Sequence, residues 1–208
     1  MTPHPPTAMA RWALAAATIA LMLLGVRAAA AAPGDLGAPI EHSLGSPKAP
    51  VTVIEYASVG CPHCALWANS TFPQFKARYV DTGKARFELH EMLTGDVDLA
   101  VAGFLLANCA PPEKYFQIVG AIFADQPAIA QGGAEALFKV AQGAGLTREK
   151  FQACLTDETA LRSLYERTGR DASEHGVEAT PTFIVGDQKL TGDMSLDTLG
   201  AAIARARR

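Results

Sequence analysis

Cys61-Pro62-His63-Cys64 sets two thiols two residues apart, the spacing at which a cysteine pair closes a small, reversible disulfide. The nucleophile of disulfide exchange is the thiolate, so the chemistry depends on what ionises one of these sulfurs near neutral pH. The same spacing also serves as half of a structural zinc site. It marks a haem attachment point only when histidine directly follows the second cysteine, and here Ala65 follows it.

The flanking elements favour exchange. Val51-Thr52-Val53-Ile54-Glu55-Tyr56 is β-branched and apolar, as a buried strand is, and a short loop over residues 57–60 follows. Beyond it Leu66, Trp67, Phe72 and Phe75 recur at roughly helical intervals, predicting a helix from Cys61 towards Val80. Cys61 is then expected at a helix N-terminus, where unpaired backbone N–H groups and the helix dipole favour an anion. Pro62 suits the first turn because its missing N–H costs nothing there. His63, as a donor or a cation, is expected to stabilise the neighbouring sulfur anion further. Such surroundings lower a cysteine pKa from about 8.5 to roughly 3.5–7.5. Cys61 is therefore read as the nucleophile and Cys64 as the resolving thiol, with no metal and no cofactor.

Other residues leave alternatives open. Glu55, six positions before Cys61, is either a solvated carboxylate at a strand end or a buried acid with the raised pKa that general acid–base work needs. Pro181 precedes an apolar strand and reads as a trans strand-start proline or as a cis one. Cys109 and Cys154 are left over as an even pair, which in an exported protein suggests a second disulfide; two free buried thiols or a redox relay are the other readings. His42, His90 and His175 show no ligand spacing and are expected to be solvated or locally bonded. Asp96 and Asp98 read as helix-start acids. No dinucleotide fingerprint or P-loop is present.

The chain has 208 residues and 49% hydrophobic composition, enough for one well-buried domain. Residues 1–31 read as a cleavable signal peptide. Arg11 precedes an apolar run over residues 12–26, too short for a comfortable membrane span, and an alanine-rich stretch places cleavage near Ala30 or Ala31. An uncleaved anchor is the alternative. Residues 32–47, rich in Gly and Pro, read as an N-terminal tether too short to form a dimerisation domain. The net charge is −3, and residues 1–31 hold two arginines and no acid, so the remainder is more acidic still and gives no sign of nucleic-acid binding.

Within residues 48–208 a second strand is expected over residues 85–90, joined to the first through the helix as a parallel βαβ unit. Helices are expected over residues 97–109, 115–123 (ending near Pro127) and 135–142. A fourth is capped by Thr147 and runs to Leu155, and a fifth carries Leu161, Leu164 and Tyr165. Residues 182–185 return to a sheet, a hairpin continues through Leu190, and Ser195 caps a last helix. This is an α/β chain with helices gathered at about 96–175.

Val53-Ile54-Glu55-Tyr56-Ala57-Ser58-Val59-Gly60-Cys61-Pro62-His63-Cys64, followed far downstream by Ala179-Thr180-Pro181-Thr182-Phe183, resembles the DsbA-like thiol:disulfide oxidoreductases of the thioredoxin superfamily, over residues 46–203 or so. The resemblance implies an α/β, thioredoxin-like fold with a helical insert domain. It implies that Glu55 is a buried acid serving Cys64, and that Pro181 is cis and faces the cysteines. The Thr180 backbone would then pair with an extended substrate. The implied activity is donation of disulfides to reduced or unfolded exported proteins in the periplasm, by a monomer that a DsbB-like membrane quinone reductase reoxidises. Thr180 stands where DsbA proteins have Val and is shared with isomerase-type relatives, which keeps a disulfide reductase or isomerase as an alternative. A thiol-based metal-binding module using Cys61, His63 and Cys64 is the non-enzymatic one.

Overall fold

The computed structural model describes Met1 and residues 42–207. The expected signal peptide and residues 32–41 of the expected tether lie outside the described residues.

The strand preceding the cysteines is the centre of a five-stranded sheet. β2 (Thr52–Ala57) runs parallel to β3 (Arg86–Glu91), with Glu55 opposite Leu89. On its other side β4 (Thr182–Val185) is antiparallel, with Glu55 opposite Phe183. β5 (Gln188–Thr191) closes that edge through a tight turn in which Gly186 has φ 63°. The order is β1-β3-β2-β4-β5. β1 is His42–Leu44, antiparallel to β3 with His42 opposite Leu89. Within the described end of the expected tether these three residues form a strand: they are too few to show alternation, and what orders them is the edge of β3, whose backbone groups need partners.

Side-chain alternation gives the sheet two apolar faces. Val53, Phe87, Phe183 and Val185 pack with Trp67 and Phe75 on one face. Tyr56, Met92 and Val177 pack with Ala172 on the other. Trp67 comes from α1 (Pro62–Ser70), and its ring centroid lies 4.7 Å from that of Phe183. The helical run reaches Val80 as expected but in pieces: α1, then α2 (Phe72–Phe75), then a π-helical turn over Lys76–Val80. Pro73 lacks the N–H that would carry α1 through Thr71 without a break.

Five helices form the insert. Asp96 caps α3 (Val97–Cys109) by accepting from Leu99 N–H at 3.0 Å. α4 (Tyr115–Ala124), α5 (Gln126–Gly143), α6 (Arg148–Leu155, capped by Thr147) and α7 (Glu158–Glu174) follow. Two boundaries differ from expectation. Pro127 lies in the first turn of α5 rather than closing α4, a position where proline is at home. α5 is also two helical stretches that meet at Gly133, whose backbone is not helical (φ 58°, ψ −144°): the second is the expected helix over 135–142, and the first, from Gln126, is additional. A disulfide joins Cys109, the last residue of α3, to Cys154 of α6. Ser195 caps α8 (Leu196–Ala206), which buries Leu199 and Ile203 in the Trp67 core.

Insert and sheet are tied by a buried ionic cluster that sequence reasoning did not find. Glu91, at the end of β3, accepts from Arg167 Nη2 of α7 at 2.6 Å, from Tyr115 OH of α4 at 3.0 Å and from Asn108 Nδ2 of α3 at 2.7 Å. His42 of β1 bonds the same Asn108 at 2.7 Å and stacks on Tyr115. His90 bonds Asp171 at 3.0 Å. His42 and His90 are thus locally bonded rather than solvated.

Candidate active site

β2 leads through a short loop into α1, and Cys61 occupies the N-cap with extended backbone (φ −92°, ψ 121°) ahead of Pro62. This places the two sulfurs one helical turn apart, with the outer one at the protein surface. Cys61 is 6% exposed and Cys64 is fully buried, so only Cys61 presents an edge to a partner. Cys61 Sγ takes a hydrogen bond from the Cys64 thiol, the largest influence on it. Burial opposes, while the Thr180 side chain and the backbone N–H groups of Cys64 and His63 assist. Together they hold the Cys61 thiol down at about 5. The same hydrogen bond, then burial, then Glu55 when ionised, push the Cys64 thiol far up. Two chemically identical groups are thereby split into a ready thiolate and a proton-holding partner.

The structure corrects the expected role of His63. Its imidazole is exposed and turns away to Asp193 Oδ2, with Nδ1 at 3.2 Å. What His63 gives Cys61 is its backbone N–H, one of the unpaired donors at a helix start.

Glu55 is not a solvated strand-end carboxylate: it is 2% exposed in the middle of β2. Burial, and then the charge at Cys61, hold its carboxyl well above the usual range. Its Oε1 has no hydrogen-bond partner among the described residues. It borders a cleft of about 80 Å3 lined also by Trp67, Phe72, Phe87 and Phe116. The carboxyl therefore gives up its proton less readily than an exposed one, beside an apolar opening.

Thr180-Pro181 is a cis peptide and faces Cys61, whose Sγ lies 3.4 Å from Thr180 O. Cys61, Pro62 and Cys64 thus open α1 with Cys61 facing the Thr180-Pro181 peptide, Glu55 lies on the preceding strand, and Cys109 and Cys154 are joined in the insert.

Several residues around the site were not singled out from sequence. Gln126, the first residue of α5, donates from Nε2 to Val59 O at 2.6 Å and Cys61 O at 3.2 Å. Ser58 Oγ accepts from Gly60 N–H at 3.1 Å and donates to Thr94 O at 2.8 Å. Gly60 and Gly95 meet so closely that a Cβ on Gly60 would stand 2.0 Å from Asp96 O. Apart from the Ser58–Gly60 turn, these are contacts between segments distant in sequence, which leave no local signature. Among the described residues, no group of three or more His, Cys, Asp or Glu side chains is arranged to hold a metal ion.

Residues 38–205 match the thioredoxin family model. A protein of Rickettsia conorii named as a protein-disulfide oxidoreductase is 32% identical over 166 residues, covering 78% of this chain and 59% of the relative. The chain thus spans about 59% of the length of that relative. Among solved structures, alpha-DsbA1 of Wolbachia pipientis is similar with a TM-score of 0.73 at 25% identity, over 82% of this chain and 92% of that one. Oxidised BdbD of Bacillus subtilis shares the fold, with a TM-score of 0.72 at 22% identity over 80% of this chain and 92% of that one.

Proposed function

This chain belongs to the thioredoxin superfamily as a DsbA-like member, and we propose that it is a protein-disulfide oxidoreductase that donates the Cys61–Cys64 disulfide to reduced proteins. One observation carries this reading: Cys61 stands at the N-cap of α1 facing the cis Thr180-Pro181 peptide, with Cys64 fully buried behind it, an arrangement that lowers the Cys61 thiol to about 5 and raises that of Cys64. A stable Cys61 thiolate is a good leaving group and a favoured product, so the equilibrium leans towards giving the disulfide away.

The electron count closes within two exchanges. A substrate thiolate attacks Cys61 Sγ of the oxidised protein; the Cys61–Cys64 bond breaks, a mixed disulfide forms and Cys64 leaves with the electron pair. We assign Glu55, whose buried carboxyl gives up its proton less readily than an exposed one, as the donor that supplies a proton to the departing Cys64. A second substrate thiolate attacks the substrate's own sulfur and expels Cys61 as a thiolate. The substrate loses two electrons and the protein gains them. Thr180 and Pro181 line the approach, and the exposed Leu66, one turn along α1, offers apolar surface beside it.

We place this activity in the periplasm, reached through residues 1–31, on reduced or unfolded exported proteins as substrates. A DsbB-like membrane quinone reductase is the proposed reoxidant and a monomer the proposed working form. Among the described residues no helix is long and apolar enough to cross a membrane. The test is trapping with a reduced two-cysteine peptide. Cys64→Ser protein should accumulate a mixed disulfide through Cys61, and wild-type oxidised protein should convert the peptide stoichiometrically. Equal trapping by Cys61→Ser would overturn the assignment, and faster rescue of scrambled than reduced substrates would favour the isomerase.

A further inference from the structure

The loop after β3 holds one residue at both backbone and side chain beside the cysteines. Thr94 N–H donates to Ser58 Oγ at 3.3 Å and Thr94 O accepts from it at 2.8 Å. The next residues are pinned by Asp96 N–H, which donates to Gly60 O at 2.9 Å. With its backbone clamped to the active-site loop, Thr94 brings Oγ1 to 2.6 Å from Thr180 Oγ1.

We propose that Thr94 is a positioning residue for the exchange chemistry: its hydroxyl donates to Thr180 Oγ1 and so leaves the Thr180 proton free to point at the Cys61 sulfur when that sulfur is an anion. This deepens the thiol-exchange reading and rests on it.

Each hydroxyl has one proton and can accept two hydrogen bonds, and only one proton fits between oxygens 2.6 Å apart. If Thr180 supplied it, Thr180 would present only lone pairs to the thiolate. If Thr94 supplies it, the Thr180 hydroxyl is free to make a charge-assisted bond, roughly twice as strong as a neutral one. The anion therefore selects the second order. In the neutral state Cys61 itself donates to Thr180 O at 3.4 Å, and no charge fixes the direction of the threonine pair. The hydroxyl order thus follows the charge at Cys61, and Thr94 stabilises the anionic side without touching a reacting atom. Thr180 stands beside the Cys61 sulfur, its carbonyl 3.4 Å away, and its side chain is among the groups that hold the Cys61 thiol down.

The experiment titrates the Cys61 thiolate by its ultraviolet absorbance in reduced protein and measures the thiol–disulfide equilibrium constant with glutathione. Thr94→Val keeps the shape and removes the proton; it should move the Cys61 midpoint up by about half to one pH unit, a three- to tenfold change, and make the protein less oxidising. Thr94→Ser should restore both values. In a Thr180→Val background Thr94→Val should move neither, since the acceptor is gone. Should Thr94→Val fold poorly, Thr94→Ala takes its place in the same comparison. An unchanged midpoint in Thr94→Val, or an equal shift with and without the Thr180 hydroxyl, would overturn the proposal while the wild type still exchanged. Failure of wild-type Cys61 and Cys64 to exchange with glutathione would instead remove the thiol-exchange reading itself.

Discussion

Gln126 Nε2 donates to Val59 O at 2.6 Å, so the helical insert holds the backbone two residues ahead of Cys61. Cys61 O, the second acceptor, keeps Ala65 N–H at 3.1 Å if the amide is lost, so the damage falls on Val59 O. Gln126→Leu should cost about 1–3 kcal/mol in urea unfolding, the cost of an unpaired buried carbonyl, and slow exchange through a looser loop. Gln126→Glu, which cannot donate when ionised, should do no better than Leu. Wild-type stability in both variants would show that this contact holds nothing.

Glu55 is a buried acid with a raised folded pKa, and the sign follows from that. Its proton stays on in the folded state while the unfolded chain ionises above about pH 4.5, so the group favours folding below that pH and opposes it progressively above. Glu55→Gln should therefore stabilise the protein at pH 7, while slowing release of Cys64 because no proton donor remains. A destabilised Glu55→Gln variant at pH 7 would contradict the burial argument.

Glu91 and Arg167 make the opposite kind of buried site, since each charge is met by the other. Arg167→Met leaves Glu91 with Tyr115 and Asn108 but no cation, and should cost about 3–5 kcal/mol. The double variant Glu91→Leu with Arg167→Met removes both charges and should recover much of that loss. A double variant as unstable as the sum of its parts would mean that packing, not charge pairing, dominates here.

Cys61 has a depressed folded pKa, about 5, so its thiolate stabilises the reduced form fully above the ordinary thiol range and loses that effect as pH falls through about 5. The oxidised form has no such group. The difference in unfolding free energy, reduced minus oxidised, should rise by about 2 kcal/mol between pH 5 and pH 7, after allowing for solvent screening at the site mouth. Urea curves of both forms at the two pH values give this directly, and a difference that does not change with pH would place the Cys61 pKa elsewhere.

Residues with local signatures were legible in the sequence. The β2–loop–α1 passage, the Asp96, Thr147 and Ser195 caps and the β4–β5 hairpin all follow from side chains within a few positions of the feature they specify. Cys109 and Cys154 were legible as a pair because only one partner remained for each. The rest depends on distance in sequence. β1 is ordered by β3, α5 hides behind Gly132-Gly133, and Glu91 is satisfied only by groups from three helices. Gly60 and Gly95 read as ordinary loop glycines until the two loops meet, where Gly95, at φ 73°, would place a Cβ 2.1 Å from Gly60 O. His63 was misread for the same reason: its sequence neighbour is Cys61, but its side chain finds Asp193.

The central claim is that the Cys61–Cys64 pair gives its disulfide away, and a glutathione redox titration of that pair, followed by Trp67 fluorescence or thiol alkylation, tests it most directly. A thiolate stabilised to a pKa of about 5 beside a proton-holding Cys64 predicts an oxidising potential, about −180 to −120 mV. A value near that of a reductant, about −270 mV, would contradict the donor reading.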